Sequence, residues 1–184
     1  MLYVCLGALN STAQVKAEGI IWSSNKLTWD NFQEDRSNVK RPGVLASTLT
    51  KLYVTDIDTA MYQQKKGITV NVFALMIPSF SWVKESSLNS KSILAHEQLH
   101  FDIVELIARR MRKELSEQKV TIKNYNKAIN TIKKQRIKML AKMQREYDET
   151  HRQQWNKWVK DVTNEITELD KYKNTTVFMQ LEDQ

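Results

Sequence analysis

The central helix of the fold is predicted by Leu94-Ala95-His96-Glu97-Gln98-Leu99-His100, a stretch that contains the pattern His-Glu-x-x-His. Residues four apart on a helix lie on one face, so His96 and His100 can present imidazole nitrogens to a single zinc ion (Zn2+). Glu97 then lies beside the metal without binding it, where its carboxylate can accept a proton from a zinc-bound water. The spacing therefore predicts a hydrolytic zinc site on this helix.

The third zinc ligand is predicted to come from a later helix. The chain contains three histidines, and a catalytic zinc usually has three protein ligands and one position open to water. His151 lies on the apolar face of the second predicted helix, so its side chain should point towards the interior. A carboxylate is the alternative ligand, since zinc also accepts carboxylate oxygen. Asp148 is the first alternative, and Glu117, Glu146 and Glu149 are weaker ones.

Neighbouring side chains are candidates for assisting the site. Asp102 and Glu105 follow the motif closely enough to accept hydrogen bonds from the zinc histidines, although ordinary exposed helix charges are an equally good interpretation. Tyr147 is a candidate donor to a developing oxyanion, with core packing as the favoured alternative. The extended metzincin motif is excluded, because Leu106 occupies the position ten residues after His96 at which that class has its third ligand.

Strand signals dominate the first half of the chain. Residues 20–22 and 26–29 are short β-prone runs separated by a turn-forming cluster, and residues 44–59 continue with β-prone side chains. The clearest alternation of apolar and polar residues is found over residues 67–83, and Pro78 should end that strand. Strands first and helices afterwards favour an α+β fold with an antiparallel sheet.

Helical periodicity dominates the second half. A first helix is predicted from about Ser90 or Ser92 to about Gln118, and a second from about Thr121. The apolar stripe of the second helix continues for nearly fifty residues, so this helix should bend or break. We therefore predict an N-terminal antiparallel sheet, then the zinc-motif helix, then a long C-terminal helical hairpin or bent helix. Residues 14–184 are expected to form one domain, strand-rich over 14–89 and helical over 90–172.

Residues 1–13 have some features of a truncated export signal. A short apolar run from Leu2 to Leu9 is followed by Ser11-Thr12-Ala13, whose small residues suit cleavage before Gln14. The positively charged start of such a signal is missing, so an N-terminal strand is the alternative. Export predicts a periplasmic or extracellular location. The single cysteine, Cys5, lies in this run. A chain cleaved before Gln14 would contain no cysteine and could form no disulfide in any compartment, so cysteine usage does not decide the location.

The net charge of +7 is concentrated in one part of the sequence. Thirteen Lys or Arg and three Glu lie between Glu105 and Arg145. Such a strip favours acidic partners or an anionic surface, but the solvated outer face of a long helix is the better interpretation.

Nucleic-acid binding is not expected, because interleaved exposed aromatic residues and a recognised module are both missing. No stretch is apolar for about eighteen residues, so a transmembrane segment is not predicted. The oligomeric state is left open.

Several blocks of the sequence resemble a known bacterial family, domain of unknown function 922. The blocks are Leu27-Thr28-Trp29-Asp30-Asn31-Phe32, Ser81-Trp82-Val83, and residues 94–103 with Glu105-Leu106 and Ala108-Arg109. The family's segment Tyr-Asp-x-x-Thr-x-His resembles Tyr147-Asp148-Glu149-Thr150-His151, in which threonine and histidine come sooner after the aspartate. The resemblance extends from about Trp22 to Trp158 and implies an exported zinc-dependent protease.

These patterns lead to one function and one alternative. The first is a zinc metallopeptidase that hydrolyses bonds in a peptide or protein substrate, with His96, His100 and His151 on zinc, Glu97 as general base and Tyr147 as a helper. The alternative is a non-catalytic, zinc-stabilised envelope protein that binds a partner through its basic helix. A purely structural site needs no carboxylate beside the metal, so Glu97 favours catalysis.

Overall fold

The computed structural model of the chain describes residues 19–34, 43–55 and 67–182. The predicted export signal over residues 1–13 lies outside these ranges, as does the end of the predicted β-prone run 44–59. The strands are β1 (Ile20–Ile21), β2 (Ala46–Ser47), β3 (Thr50–Val54), β4 (Gly67–Met76), β5 (Trp82–Val83), β6 (Lys119–Val120) and β7 (Thr176–Leu181), and the helices are α1 (Lys91–Ser116) and α2 (Tyr125–Glu168). The predicted α+β fold is confirmed.

Strand β4 is the centre of the main sheet. β1 and β3 pair antiparallel with its second half, and β7 pairs antiparallel with its first half. The predicted antiparallel sheet of the N-terminal half is confirmed, and β6 of the C-terminal half adds to β7 in parallel. β2 and β5 form a separate antiparallel pair. Alternate side chains of β4 point to opposite faces, so Val70, Val72 and Ala74 join the core under α1, while Phe73 and Leu75 form a second apolar cluster.

Local chemistry explains where the strand predictions differ from the structure. Residues 26–29 are not a strand, because a 3-10 turn forms over Trp29–Asn31 and the Asn31 side chain accepts a hydrogen bond from the Thr28 backbone N–H at 2.8 Å. Pro78 ends β4 as predicted and begins a second 3-10 turn before β5. β7 follows the predicted helical region and was not anticipated.

Helix α1 lies between the sheet and α2. Its predicted start is confirmed, since the Ser90 hydroxyl accepts a hydrogen bond from the Ile93 backbone N–H at 3.3 Å. One face of the helix packs on the core that contains β4, through Phe101, Val104, Ile107, Ala108, Met111 and Leu115. The other face packs against α2 through Leu99, Ile103 and Leu106. Burial on both faces leaves little freedom for side chains between them.

Helix α2 reverses direction at Gln154, where the backbone leaves helical geometry (φ −121°, ψ 22°). A straight helix would separate Met143 from Glu165 by about 33 Å. Both residues nevertheless contact the Arg110 side chain, Met143 with its sulfur at 3.8 Å and Glu165 with its carboxylate. The break predicted from the length of the apolar stripe is therefore present, and α2 is a hairpin of two helical segments. No helix among the described residues is long and apolar enough to cross a membrane.

A buried ion cluster attaches the end of α2 to α1. Glu105 accepts hydrogen bonds from Arg109 Nε at 2.8 Å and from Arg112 Nη2 at 2.7 Å, and all three side chains are buried. The Nη1 atom of Arg109 donates to the backbone carbonyl of Ile166 at 2.7 Å, and that of Arg112 donates to the backbone carbonyl of Lys173 at 2.8 Å. One carboxylate thus orients two guanidinium groups of α1, and these bind the part of the chain that follows the reversal of α2 at Gln154.

Replacing Glu105 should destabilise the fold strongly. Glu105→Met leaves the buried Arg112 without its carboxylate and Arg109 with only the exposed Asp170, and removing one partner of a buried ion pair typically costs about 3–5 kcal/mol. The matched control is Asp161→Asn, which removes an exposed pair with Lys157 and should cost less than about 1 kcal/mol. Urea titration followed by circular dichroism measures both. Equal losses of unfolding free energy in the two variants would contradict the assigned role of the cluster.

Candidate metal centre

The two motif histidines point at the same space because they lie four residues apart on α1. The Nε2 atoms of His96 and His100 are 3.1 Å apart. Both side chains are mostly buried, with 22% and 14% of their surface exposed. The sequence prediction that α1 brings these two imidazoles together agrees with this geometry.

Asp148 brings a carboxylate oxygen from α2 to the two imidazoles. Its Oδ1 atom lies 3.1 Å from His100 Nε2 and 3.7 Å from His96 Nε2. Donors about 2.0–2.1 Å from a tetrahedral zinc ion are about 3.3 Å from one another, so the three separations fit three corners of such a site. A set of two imidazole nitrogens and one carboxylate oxygen also suits zinc chemically. His96, His100 and Asp148 can therefore hold a metal ion.

His151 lies next to this cluster. Its ring centroid is 4.4 Å from that of His96, and its Nδ1 atom is 2.9 Å from the backbone carbonyl oxygen of Asp148. The three-atom group with metal-ligand spacing consists of the two motif histidines and Asp148. Ligation by His151 stays a prediction. Glu117 is a poor alternative, because it caps α1 about 25 Å along the helix from His100.

The two other glutamates named as weaker ligand candidates lie on α2 beside Asp148. Glu146 pairs with Lys142 at 3.5 Å, and Glu149 is exposed to solvent. Neither belongs to the three-atom group with metal-ligand spacing, in which Asp148 is the carboxylate.

Glu97 is a buried carboxylate at the floor of a cavity, with 4% of its surface exposed. Its Oε2 atom accepts a hydrogen bond from the Thr48 hydroxyl at 2.6 Å. Burial raises the pKa of the Glu97 carboxyl, while the hydrogen bonds from Thr48 and the neighbouring His100 oppose that shift. Glu97 stays outside the three-donor group, as the motif requires of a general base.

Gln144 holds His100 at two points. Its Oε1 atom pairs with His100 Nδ1, and its Nε2 donates to the His100 backbone carbonyl at 2.9 Å. An acceptor on Nδ1 places the proton there and leaves the Nε2 lone pair facing the cluster. Although burial lowers the pKa of His100, its hydrogen bonds to Asp148 and Gln144 outweigh burial and raise it.

His96 has the opposite electrostatic environment. Burial lowers the pKa of His96 to about 4, and the nearby His100 and His151 act in the same direction. A histidine that is neutral at pH 7 offers a lone pair to a metal without first losing a proton. Its Nδ1 atom is buried without a hydrogen-bond partner among residues 19–34, 43–55 and 67–182, and its polar contacts within these ranges are made through Nε2, which faces the other donors.

Tyr147 lies beneath the two imidazoles. Its ring stacks on His96 with centroids 4.9 Å apart and meets His100 edge-on at 4.8 Å. Its hydroxyl donates to the His96 backbone carbonyl at 3.3 Å, and burial raises the pKa of that hydroxyl. This placement agrees with the packing alternative, and the role of oxyanion donor stays a prediction.

The carboxylates of Asp102 and Glu105 have partners other than the motif histidines. Asp102 accepts hydrogen bonds from Trp22 Nε1 at 2.7 Å and Gln98 Nε2 at 2.8 Å, and it pairs with Lys26. Glu105 belongs to the buried ion cluster. The prediction that they orient the histidines is therefore wrong, since each carboxylate instead braces the back of α1.

A cleft of about 1180 Å³ opens over the cluster. Its walls are residues 43–50, the first turns of α1, and the α2 face that includes Gln144, Asp148 and His151. Pockets for small ligands usually measure about 300–1,000 Å³, so this cleft has room for several residues of a peptide.

The sequence did not lead to Gln144 or Thr48 as residues of the site. Gln144 lies four residues before Asp148 on the same helix face, a signal that was available, whereas Thr48 had none.

The fold and the cluster define the chain as an α+β protein with a His-His-Asp group that can hold a metal beside a buried glutamate. Residues 87–157 match a family described as "Bacterial protein of unknown function (DUF922)". The match covers α1 and the first segment of α2, which together carry every side chain of the cluster, and it supports the resemblance found in the sequence. Curated proteins and solved structures gave no match.

Removing the Gln144 side-chain amide should weaken metal binding without unfolding the protein. Gln144→Met keeps the length of the side chain but loses both hydrogen bonds to His100, and loss of such a partner typically costs about 10- to 100-fold in metal affinity. Competition with a chromophoric chelator measures the zinc affinity. Gln135→Met, at an exposed position of the same helix, is the control. Equal zinc affinities of the two variants would show that Gln144 does not position His100.

Proposed function

We propose that the protein is a zinc-dependent metallopeptidase that hydrolyses peptide or amide bonds in a peptide or protein substrate. The observation that carries the proposal is the position of Glu97, a buried carboxylate beside two converging imidazoles at the floor of a large cleft. Zinc in a site of this kind polarises a carbonyl group and makes water a nucleophile at neutral pH. The donor set and its spacing support zinc as the metal.

Glu97 is the proton carrier in this proposal. Its Oε2 atom is held by Thr48, which orients the carboxylate and leaves the other oxygen for a proton. Glu97 accepts a proton from the attacking water and then delivers it to the leaving amine nitrogen, so one residue acts first as base and then as acid.

The donor distances favour Asp148 over His151 as the third protein ligand. The Asp148 Oδ1 atom already lies within reach of an ion held by both imidazoles, whereas His151 is held beside His96 by its contact with the Asp148 carbonyl. Three protein ligands leave one position for water, as catalysis requires. We further propose that the protein acts outside the cytoplasm, on the basis of the family resemblance and the signal-like residues 1–13.

The metal content of single-residue variants tests the ligand set. Purified protein should contain about one zinc ion per chain by elemental analysis, and His96→Ala and His100→Ala should each abolish retention. Asp148→Ala should reduce zinc affinity more than His151→Ala. The reverse order would assign the third position to His151, and full zinc retention in both motif variants would remove the zinc assignment.

The Glu97→Gln variant separates catalysis from metal binding. It should keep the zinc content and the circular dichroism of the native protein but lose at least about 100-fold in the cleavage rate of a peptide library, because amide nitrogen and oxygen cannot replace the carboxylate as a base. Glu168→Gln, an exposed change at the end of α2, should leave the rate unchanged. Unchanged cleavage by Glu97→Gln would exclude Glu97 from the reaction. Absence of cleavage by the native protein with zinc bound would favour the non-catalytic alternative.

A further inference from the structure

The cleft has a different chemical character on each side of the group formed by His96, His100 and Asp148. α1 and the first segment of α2 run antiparallel there, since His100 contacts Gln144 while His96 contacts Asp148. The beginning of α1 therefore lies beside the α2 residues that follow Asp148. The α2 residues that precede Gln144 lie on the opposite side of the cluster.

The side before Gln144 is apolar. Ile137, Leu140 and Ala141 line the cleft there, one to two helical turns from Gln144. Ile137 is 45% exposed although it is a large aliphatic residue. An exposed aliphatic wall inside a concave site is stabilised when an apolar group of a ligand covers it.

The opposite side is cationic. Lys91 at the beginning of α1 and Arg152, one turn after Asp148, both line the cleft and are exposed. Neither has an ion pair with any of the described residues. The two carboxylates that line the cleft are already engaged, Glu97 with Thr48 and Asp148 with the imidazoles. The charge available to a ligand at this end is therefore positive.

The position of Lys91 is electrostatically unfavourable for the helix itself. Lys91 is the first residue of α1, and the first turn contains no acidic residue. The amino end of a helix carries partial positive charge, so a cation there is destabilising unless an anion compensates it. Such a departure from local preference is expected where a residue serves a ligand.

We propose that the cleft binds peptides that carry a carboxylate on the Arg152 side of the scissile bond and a bulky apolar side chain on the other side. This inference rests on the proposed function, because it assigns a substrate class to the same cleft. A guanidinium group recognises a carboxylate through two parallel hydrogen bonds, and Lys91 adds a second positive charge. The carboxylate is either an Asp or Glu side chain or the free carboxyl terminus of the substrate, since both present the same group.

Three matched peptide sets distinguish the sources of the carboxylate. Every peptide has leucine at its centre, and a second residue is placed in turn at each position on either side of it. In the first set this residue is Glu and the carboxyl end is amidated. In the second set it is Gln with an amidated end, and in the third it is Gln with a free carboxyl end. We expect the native protein with zinc to cleave one of the two acidic sets about 10-fold faster in kcat/KM than the amidated Gln set, as a charge-assisted hydrogen bond predicts. The faster set identifies the source. Equal rates for all three sets would overturn the inference.

Paired variants assign the preference to the cleft. Arg152→Gln should reduce the preference for the acidic set to about 1, whereas Arg145→Gln, an exposed arginine of the same helix outside the cleft, should retain it. Ile137→Gln should reduce the preference for leucine over alanine at the central position. Met139→Gln, at a surface position of the same helix outside the cleft, should leave the preference for leucine unchanged. Equal effects within either pair would contradict the corresponding half of the proposal.

Binding separates this inference from the proposed reaction. Calorimetric titration of the zinc-loaded Glu97→Gln variant with the same peptides measures recognition without cleavage. The native protein could cleave none of the peptides, in which case the proposed function fails. The cleft preference is still supported if the acidic peptides bind more tightly than the amidated Gln peptides and if Arg152→Gln removes that difference. Equal binding of acidic and amidated Gln peptides overturns the preference, whatever the activity.

Discussion

The packing of α1 against the first segment of α2 is the interaction on which the site depends. α1 supplies two imidazoles and one carboxylate, whereas the third donor of the group that can hold a metal and the hydrogen-bond partner of His100 come from α2. The antiparallel register places Gln144 on His100 and Asp148 on both histidines. A shift of α2 by one residue would rotate these side chains by about 100° and separate the donor atoms.

The rest of the fold holds that register. Tyr147 fills the space below the imidazoles, and α2 reverses at Gln154 so that its second segment packs back over the same region. The Glu105 ion cluster then attaches the end of α2 to α1. On the opposite side, Asp102 connects α1 to Trp22 and Lys26 of the N-terminal segment. Buried polar groups that are hydrogen-bonded across elements in this way favour one arrangement among the many that an apolar interface alone would allow.

The features that could be predicted from the sequence are those set by local periodicity. The His-Glu-x-x-His spacing, the Ser90 cap, the strand ended by Pro78 and the break in the long apolar stripe depend on neighbouring residues, and all of them appear in the structure. Tertiary partners were harder to predict. β7 pairs with β4 across more than a hundred residues of sequence, and Thr48 reaches Glu97 from the connection between β2 and β3, contacts that no local pattern records. The partners of Asp102 include the distant Trp22 and Lys26, which no local pattern reveals. Glu105 pairs with Arg109 and Arg112 of its own helix, at spacings of four and seven residues that the sequence does contain.

Zinc anomalous diffraction from a crystal of the native protein tests the central claim most directly, since it locates the ion independently of the ligands assumed for it. The account predicts one anomalous peak about 2.0–2.1 Å from the Nε2 atoms of both His96 and His100, with one further protein donor and one position left to solvent. A peak elsewhere, or four protein ligands closed around the ion, would contradict a hydrolytic zinc centre at this place in the fold.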